Sequence, residues 1–246
     1  MGEVKGPTSV VSEDRAGTSA VFGNSQDRGQ DSSEFSGSNA HSTPRYLPPE
    51  IKLWQQEFFA ACEAFSWVHT ANFIKAHWLD HRELLHSCSQ FFQILPLYVT
   101  KRGFEFAFDG GGEFWVVMEV TEVHLMPPND QPEIVVVDLL AFDPNCPSRW
   151  VTAMGKARGL GVSNAANPAC WSKGPMRVWK TPLRWLQEGC SGVVILDSRS
   201  VSSWLGNCPG CIAGENKRHS SELTQLLGFW FDRRRIHAPL ETVSGG

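Results

Sequence analysis

Two cysteines flank a Pro-Gly pair in the stretch WLGNCPGCIAGENKRH (204–219), and His219 follows eight residues after the second of them. Thiolates and imidazoles at such spacings hold zinc or exchange electrons. A redox pair needs its first thiol at a helix N-terminus, where the dipole and free amides stabilise the thiolate. Cys208 and Cys211 stand instead before a short apolar run, CIAG, with no helix starting between them, so disulfide exchange is not expected. A structural zinc would draw on Cys190, Cys208, Cys211 and His219, a set with one CxxC and no second knuckle. A Pro-Gly turn explains the spacing without a ligand, and the stretch is read as a turn.

Three apolar runs carry an acid at or near their ends: Asp138 in IVVVD, Asp197 in VVILD, and Glu215 after CIAG. If the strands are parallel neighbours, these carboxylates converge at one sheet edge and ligate Mg²⁺ for phosphoryl chemistry. Asp138 is the most informative of them. Alternation puts it on one face with Ile134, Val136, Leu140 and Phe142. A buried, charged and unpaired carboxylate costs several kcal/mol, so Asp138 must be protonated, paired or open to a polar cleft. Against a metal site, Asp197-x-Arg199 lacks paired aspartates and no ExK follows a suitable acid. Acids at strand exits also cap the next helix.

His77 and His81 stand at i and i+4, the spacing that sets two imidazoles on one helix face, in a span that also holds His69 and His86. The residues between are Trp78, Leu79 and Asp80, so this is no H-E-x-x-H, and a polar helix face is expected. Trp150, Trp171, Trp179 and Trp185 interleave with Arg149, Lys173, Arg177, Lys180 and Arg184, as on a surface for single-stranded nucleic acid. Tryptophan serves equally as core, and core is the reading taken. Arg233, Arg234 and Arg235 read as a solvated run. No G-x-S-x-G, P-loop or G-x-G-x-x-G is present.

The elements that must position these groups begin near Tyr46. Residues 1–46 are rich in Ser, Gly, Asp and Asn and bury too little apolar area to offset chain entropy, so they read as a disordered leader. Pro48 and Pro49 then open a helix with Ile51, Trp54, Phe58, Phe59, Cys62 and Phe65 at helical spacing. A second helical pattern runs through NFIKAHWLDHRELLHSCSQFF. From Leu97 the period becomes two, and YVTKRGFEFAF and EFWVVMEVTEV flank DGGG, which predicts a hairpin turning at Asp109–Gly112. After PEIVVVDLLAFDP, short helices alternate with strands: Thr181 caps and Pro182 opens one helix, Gly189 closes it, and GVVILD follows as a strand. The expected fold is α+β, with N-terminal helices on a mixed sheet, short αβ units, and a disordered N-terminal tail. One domain spans 47–240, and 241–246 form a flexible C-terminus.

Composition narrows the classes. Ten Trp and fifteen Phe among 246 residues supply a dense core, while a net charge of -4 gives no overall field toward phosphate backbones, so nucleic acid is not favoured as a partner. Seven scattered cysteines suit a reducing cytoplasm better than a disulfide framework. No stretch is apolar enough to cross a bilayer, and no secretory signal opens the chain.

The phrases VVVDLLAFDP, VWKTPLRWLQEGCSGVVILD and IAGENKRHSSEL, in this order within Leu97 to Leu227, resemble a group of uncharacterised proteobacterial proteins met near phage-derived genes. The CPGC pair and the leader lie outside the resemblance, which implies no activity. Two functions are therefore carried forward. One is a soluble accessory or interaction protein of a mobile element, with an unidentified protein partner and no cofactor. The other is a metal-dependent enzyme acting on nucleic acid phosphodiesters through Asp138, Asp197 and Glu215, with Mg²⁺, or with Zn²⁺ on the cysteine set.

Overall fold

A computed structural model describes residues 49–88, 90–126, 131–172, 174–206, 208–228 and 231–238. The leader assigned to 1–46 and the tail assigned to 241–246 lie outside the described residues. All described residues belong to one unit, Thr43–Gly246. The α+β expectation holds, and the strands divide between two five-stranded sheets.

Helix α1 (Pro49–Ala64) starts on a proline, whose missing N–H is no loss in a first turn, and buries Ile51, Gln55, Phe58 and Ala61 along one stripe. Helix α2 (Val68–Ala76) stops at His77, and Trp78 takes φ 55°, a left-handed conformation that ends the helix before α3 (His81–Cys88) begins. His77 and His81 therefore do not share one helix face. The His77 ring packs on Phe73 with centroids 4.4 Å apart, and burial holds its pKa below the ordinary histidine value. The side chains of His81 and His86 are not among those described.

The first sheet is antiparallel: β1 (Phe92–Val99), β2 (Phe104–Phe106), β3 (Glu113–Met126), β4 (Gln131–Phe142) and β5 (Trp150–Thr152), in the order β2-β1-β3-β4-β5. The hairpin expected at Asp109–Gly112 is not made. Instead β1 lies between β2 and β3, and the tight turn is at Thr100–Gly103, where the Thr100 N–H donates to the Gly103 carbonyl at 2.9 Å. The DGGG segment carries the chain past β1 to its far edge. Period-two patterning marks both strands but cannot say which pair.

The second sheet takes the remainder: β6 (Gly159–Leu160), β7 (Met176–Trp179), β8 (Val193–Ile195), β9 (Ile212–Ala213) and β10 (Ile236–His237), in the order β10-β9-β7-β8-β6. Strands β7 to β10 are parallel, and β6 runs antiparallel along β8. Their connections carry α5 (Pro182–Gln187), α6 (Val201–Trp204) and α7 (Lys217–Leu227), while α4 (Val162–Ala166) follows β6. Thr181 caps α5 as expected, its hydroxyl accepting from the Arg184 N–H at 3.2 Å. Gly192, at φ +77°, lets the chain enter β8 under β7, since a Cβ there would lie 2.3 Å from the Arg177 carbonyl.

Both faces of both sheets are covered, which gives three cores. Phe58 and Ala61 of α1 press on Leu95, Trp115, Val117 and Leu139 of the first sheet. Its other face, with Val116, Met118, Leu140 and Phe142, meets Trp179, Leu183, Trp185 and Val194 of the second. Val178, Val193 and Ile212 face Trp204, Leu205, Leu223 and Leu227 beyond. Trp179 and Trp185 are thus buried core, and no helix among the described residues is long and apolar enough to cross a membrane.

Candidate functional site

The three acids proposed from sequence do not meet at one edge. Asp138 lies within β4 of the antiparallel sheet, whereas Asp197 and Glu215 follow β8 and β9 of the parallel one. Because β8 and β9 both flank β7 in the same direction, Asp197 and Glu215 leave the same sheet edge, with the end of β7 between them. Two of the three share a rim. The third is on another sheet.

Asp138 resolves its burial through the backbone. It is 0% exposed, and β4 carries an extra residue beside it, because Val120 pairs with Asp138 while Thr121 pairs with Val136. Oδ1 accepts the N–H groups of Leu139 and Met154, each at 2.9 Å; Oδ2 accepts those of Lys156 at 2.6 Å and Ala157 at 3.0 Å. The carboxylate is thus paired with backbone amides in place of a cation, and it fixes the loop that links the two sheets.

Asp197 and Glu215 hold their own loops. Asp197 Oδ1 accepts the Arg199 N–H at 3.1 Å and the Arg199 Nε–H at 2.9 Å, and the Arg199 hydrogen bond draws its pKa below the ordinary carboxylate value. Glu215 Oε1 accepts the Lys180 N–H, the first amide beyond β7, at 2.6 Å. The Glu215 N–H donates to His219 Nδ1 at 3.1 Å, and Asn216, not an acid, caps α7 through the His219 N–H.

The cysteine set is equally dispersed. Cys190 is buried in the core between the sheets, and Cys208 in the core beneath α6 and α7. Among the described residues no group of three or more His, Cys, Asp or Glu is placed to hold a metal ion. The CPGC stretch is a turn clamped from outside. Arg235 donates from Nε to the Gly210 carbonyl at 3.0 Å and from Nη2 to the Cys208 carbonyl, and its guanidinium lies 4.4 Å from the Phe231 ring centroid. Gly210 sits flat on Trp171, where a Cβ would come 2.1 Å from Cε3. Burial raises the Cys208 thiol pKa, against the pull of Arg235. Of the three terminal arginines read as solvated, Arg233 and Arg234 are exposed and Arg235 is this clamp.

Sequence reasoning missed a cleft of about 980 Å³ between the outer part of the β3–β4 ribbon and the second sheet. Its walls include Val123 and Pro132 from the ribbon, Val162 and Ala165 from α4, and Trp204 from α6. Arg158 stands at its side, Nε donating to Glu122 Oε1 at 3.1 Å and Nη2 to Oε2, with Glu122 only 4% exposed. The cleft runs beside β6, from Arg158, whose carbonyl accepts the Asp197 N–H at 3.1 Å, to α4. No spacing rule connects Glu122 with Arg158 or Val123 with Trp204. The retrievable signal was Glu122, an acid in an apolar strand like Asp138.

No known protein family, no curated protein and no solved structure matches this chain.

Proposed function

We propose that this protein acts by binding, as an accessory or interaction protein, rather than by phosphodiester chemistry. The observation that carries the reading is the state of the three acids. Asp138 accepts four backbone N–H groups in one sheet, while Asp197 and Glu215 are engaged by Arg199 and Lys180 at the rim of the other. A metal that drew Asp138 away from its amides would leave the buried Leu139 and Ala157 donors unpaired, and Asp138 stands on a different sheet from the other two acids. The resemblance of Leu97 to Leu227 supplies the setting, a mobile element or prophage. Six described cysteines are free thiols, which supports a reducing cytoplasm.

The second reading, a metal-dependent enzyme on nucleic acid, keeps one observation in its favour: Asp197 and Glu215 leave parallel strands at a common edge. Calorimetric titration with Mg²⁺ and Mn²⁺, with cleavage of labelled single- and double-stranded DNA measured alongside, separates the two. No binding at millimolar metal and no cleavage is the expected result. Metal binding that disappears in Asp197→Asn would overturn the binding reading.

A further inference from the structure

The ladder between β7 and β9 is short, and two side chains carry the contact past its end. Backbone pairing stops at Arg177 and Ala213. Beyond it the Arg177 guanidinium donates to the Gly214 carbonyl at 3.3 Å, and Glu215 Oε1 takes the Lys180 N–H at 2.6 Å. Glu215 is held for that bond by its own main chain, since its N–H donates at 3.1 Å to Nδ1 of His219, in the first turn of α7. The His219 ring is 7% exposed, and its backbone N–H is tied to Asn216 Oδ1 at 2.9 Å, so packing and the cap together fix the imidazole.

This arrangement requires one tautomer. A neutral imidazole accepts at one nitrogen, and here that nitrogen is Nδ1, with the proton on Nε2. A second proton has only Nδ1 to occupy. It sets an N–H against the Glu215 N–H, donor to donor, and the bond that orients Glu215 is lost. The new N–H needs an acceptor. The charged groups that bear on the ring are Lys180 at the end of β7, Glu215 before α7 and Glu222 within it. Arg218 is turned to Glu222, and His237 of β10 reaches this turn through its carbonyl, on the Ser220 hydroxyl. Glu222 is already engaged, by Lys180 Nζ at 2.9 Å and Arg218 Nε at 3.0 Å. The Glu215 carboxylate has one partner among the described residues, the neutral Lys180 amide, which is only half-buried and can take water instead. A carboxylate gains more from an imidazolium than from such an amide.

We infer that His219 and Glu215 form an acid-operated latch at the carboxyl end of the parallel sheet. With Nδ1 bare, Glu215 stays on the Lys180 amide and the ends of β7 and β9 are closed together; with Nδ1 protonated, the carboxylate moves to the imidazolium and the two ends part. Position gives the latch its use. The chain leaves β7 through α5 toward β8 and leaves β9 through α7 toward β10, and the two helices pack on opposite faces of the sheet. Such a divergence makes the crevice in which open parallel sheets take their ligands, and the proton controls access to it. Burial and Lys180 hold the pKa of the ring below 6.5, so the latch is shut at neutral pH and opens on acidification.

The test is a titration of the whole chain from pH 7.5 to 5.0, followed by ¹⁵N–¹H spectra of the backbone amides and ¹³C–¹H spectra of the imidazoles. The His219 ring and the amides of Glu215 and Lys180 are expected to titrate together, at one midpoint below 6.5, with the Lys180 amide proton moving upfield as it exchanges a carboxylate for water. His219→Asn sets an oxygen where Nδ1 stands and takes no proton; it identifies the ring signals by their loss, and in it both amides are expected to stay fixed. Glu215→Gln keeps an acceptor for the Lys180 amide but offers the imidazolium no charge, so the ring is expected to titrate at lower pH while the Lys180 amide stays. This variant serves if His219→Asn does not fold. The proposal is overturned if the Lys180 amide stays fixed while the wild-type ring titrates, if it moves at a midpoint other than that of the ring, if the ring is still neutral at pH 5.0, or if the Lys180 amide titrates unchanged in either variant.

Discussion

The runs Ile134-Val-Val-Val-Asp138 and Val193-Val-Ile-Leu-Asp197 end alike, yet the fold treats their aspartates in opposite ways. Asp138 lies inside a twelve-residue strand that continues to Phe142, is wholly buried, and gathers four amides from its own strand and the loop after β5. Asp197 lies just past a three-residue strand, at the surface, and organises a turn with Arg199. The difference is set by what comes next. An antiparallel strand that runs on past its acid draws it into the core, where only a complete set of donors makes it tolerable; a parallel strand that ends at its acid leaves it in water.

The largest expected effect is at Asp138. Asp138→Ala leaves four N–H groups without their acceptor, those of Leu139 and Ala157 buried, and is expected to cost about 3–4 kcal/mol, close to the whole stability of a marginal domain. Asp138→Asn keeps one oxygen but turns an amide N–H₂ toward the Lys156 and Ala157 donors, at about 2–3 kcal/mol. Urea unfolding measures both. If Asp138→Asn unfolds at the wild-type midpoint, the buried acid is not what joins the two sheets.

Next comes the turn that the cysteines flank. Gly210→Ala pushes a methyl into the face of Trp171 and is expected to cost about 1–3 kcal/mol, whereas Cys211→Ser, at a half-buried site without metal or disulfide, should stay within about 1 kcal/mol. The reverse order, with Cys211→Ser the more damaging and zinc released on unfolding, would restore the metal reading.

His219 gives a smaller effect that depends on pH. Burial lowers its pKa below the ordinary 6.5, Lys180 adds to the shift, and Glu215 and Glu222 oppose it. Below pH 6.5 the unfolded chain therefore binds a proton that the folded one resists. Stability is expected to be constant above that value and to fall as pH drops from 6.5 toward the folded pKa, and His219→Gln should flatten this slope. Unfolding midpoints at pH 7.5 and 5.5, in both proteins, measure it.

Local signals were legible where local physics decides. Thr181-Pro182 and Gly189 bounded a helix because capping and left-handed closure are set by the residues themselves. Asp138 stood out because a carboxylate in an apolar row demands an explanation. Its explanation did not, since Met154, Lys156 and Ala157 contribute backbone groups, which carry no sequence label. The partner of β3 was misread because alternation marks Phe104–Phe106 and β3 as strands without naming partners, while Phe92–Val99, buried without alternation from Phe92 to Leu97, is the strand that lies between them. The cleft was invisible for the same reason: it exists only where the β3–β4 ribbon passes α4 and Trp204, residues brought together by two separate sheets.

Asp197→Asn completes the comparison at the small end. Oδ1 keeps its acceptance from the Arg199 N–H after the change, and what is lost is an ion pair whose arginine is 88% exposed. Such pairs contribute little, because water screens them and two mobile side chains must be held together. The expected loss is under about 0.5 kcal/mol in the same urea experiment that condemns Asp138→Asn. The pair of variants therefore forms one test. Two aspartates behind near-identical apolar runs should differ several-fold in their effect on stability, and equal losses would mean that the rim of the parallel sheet is held by its acid as firmly as the ribbon is.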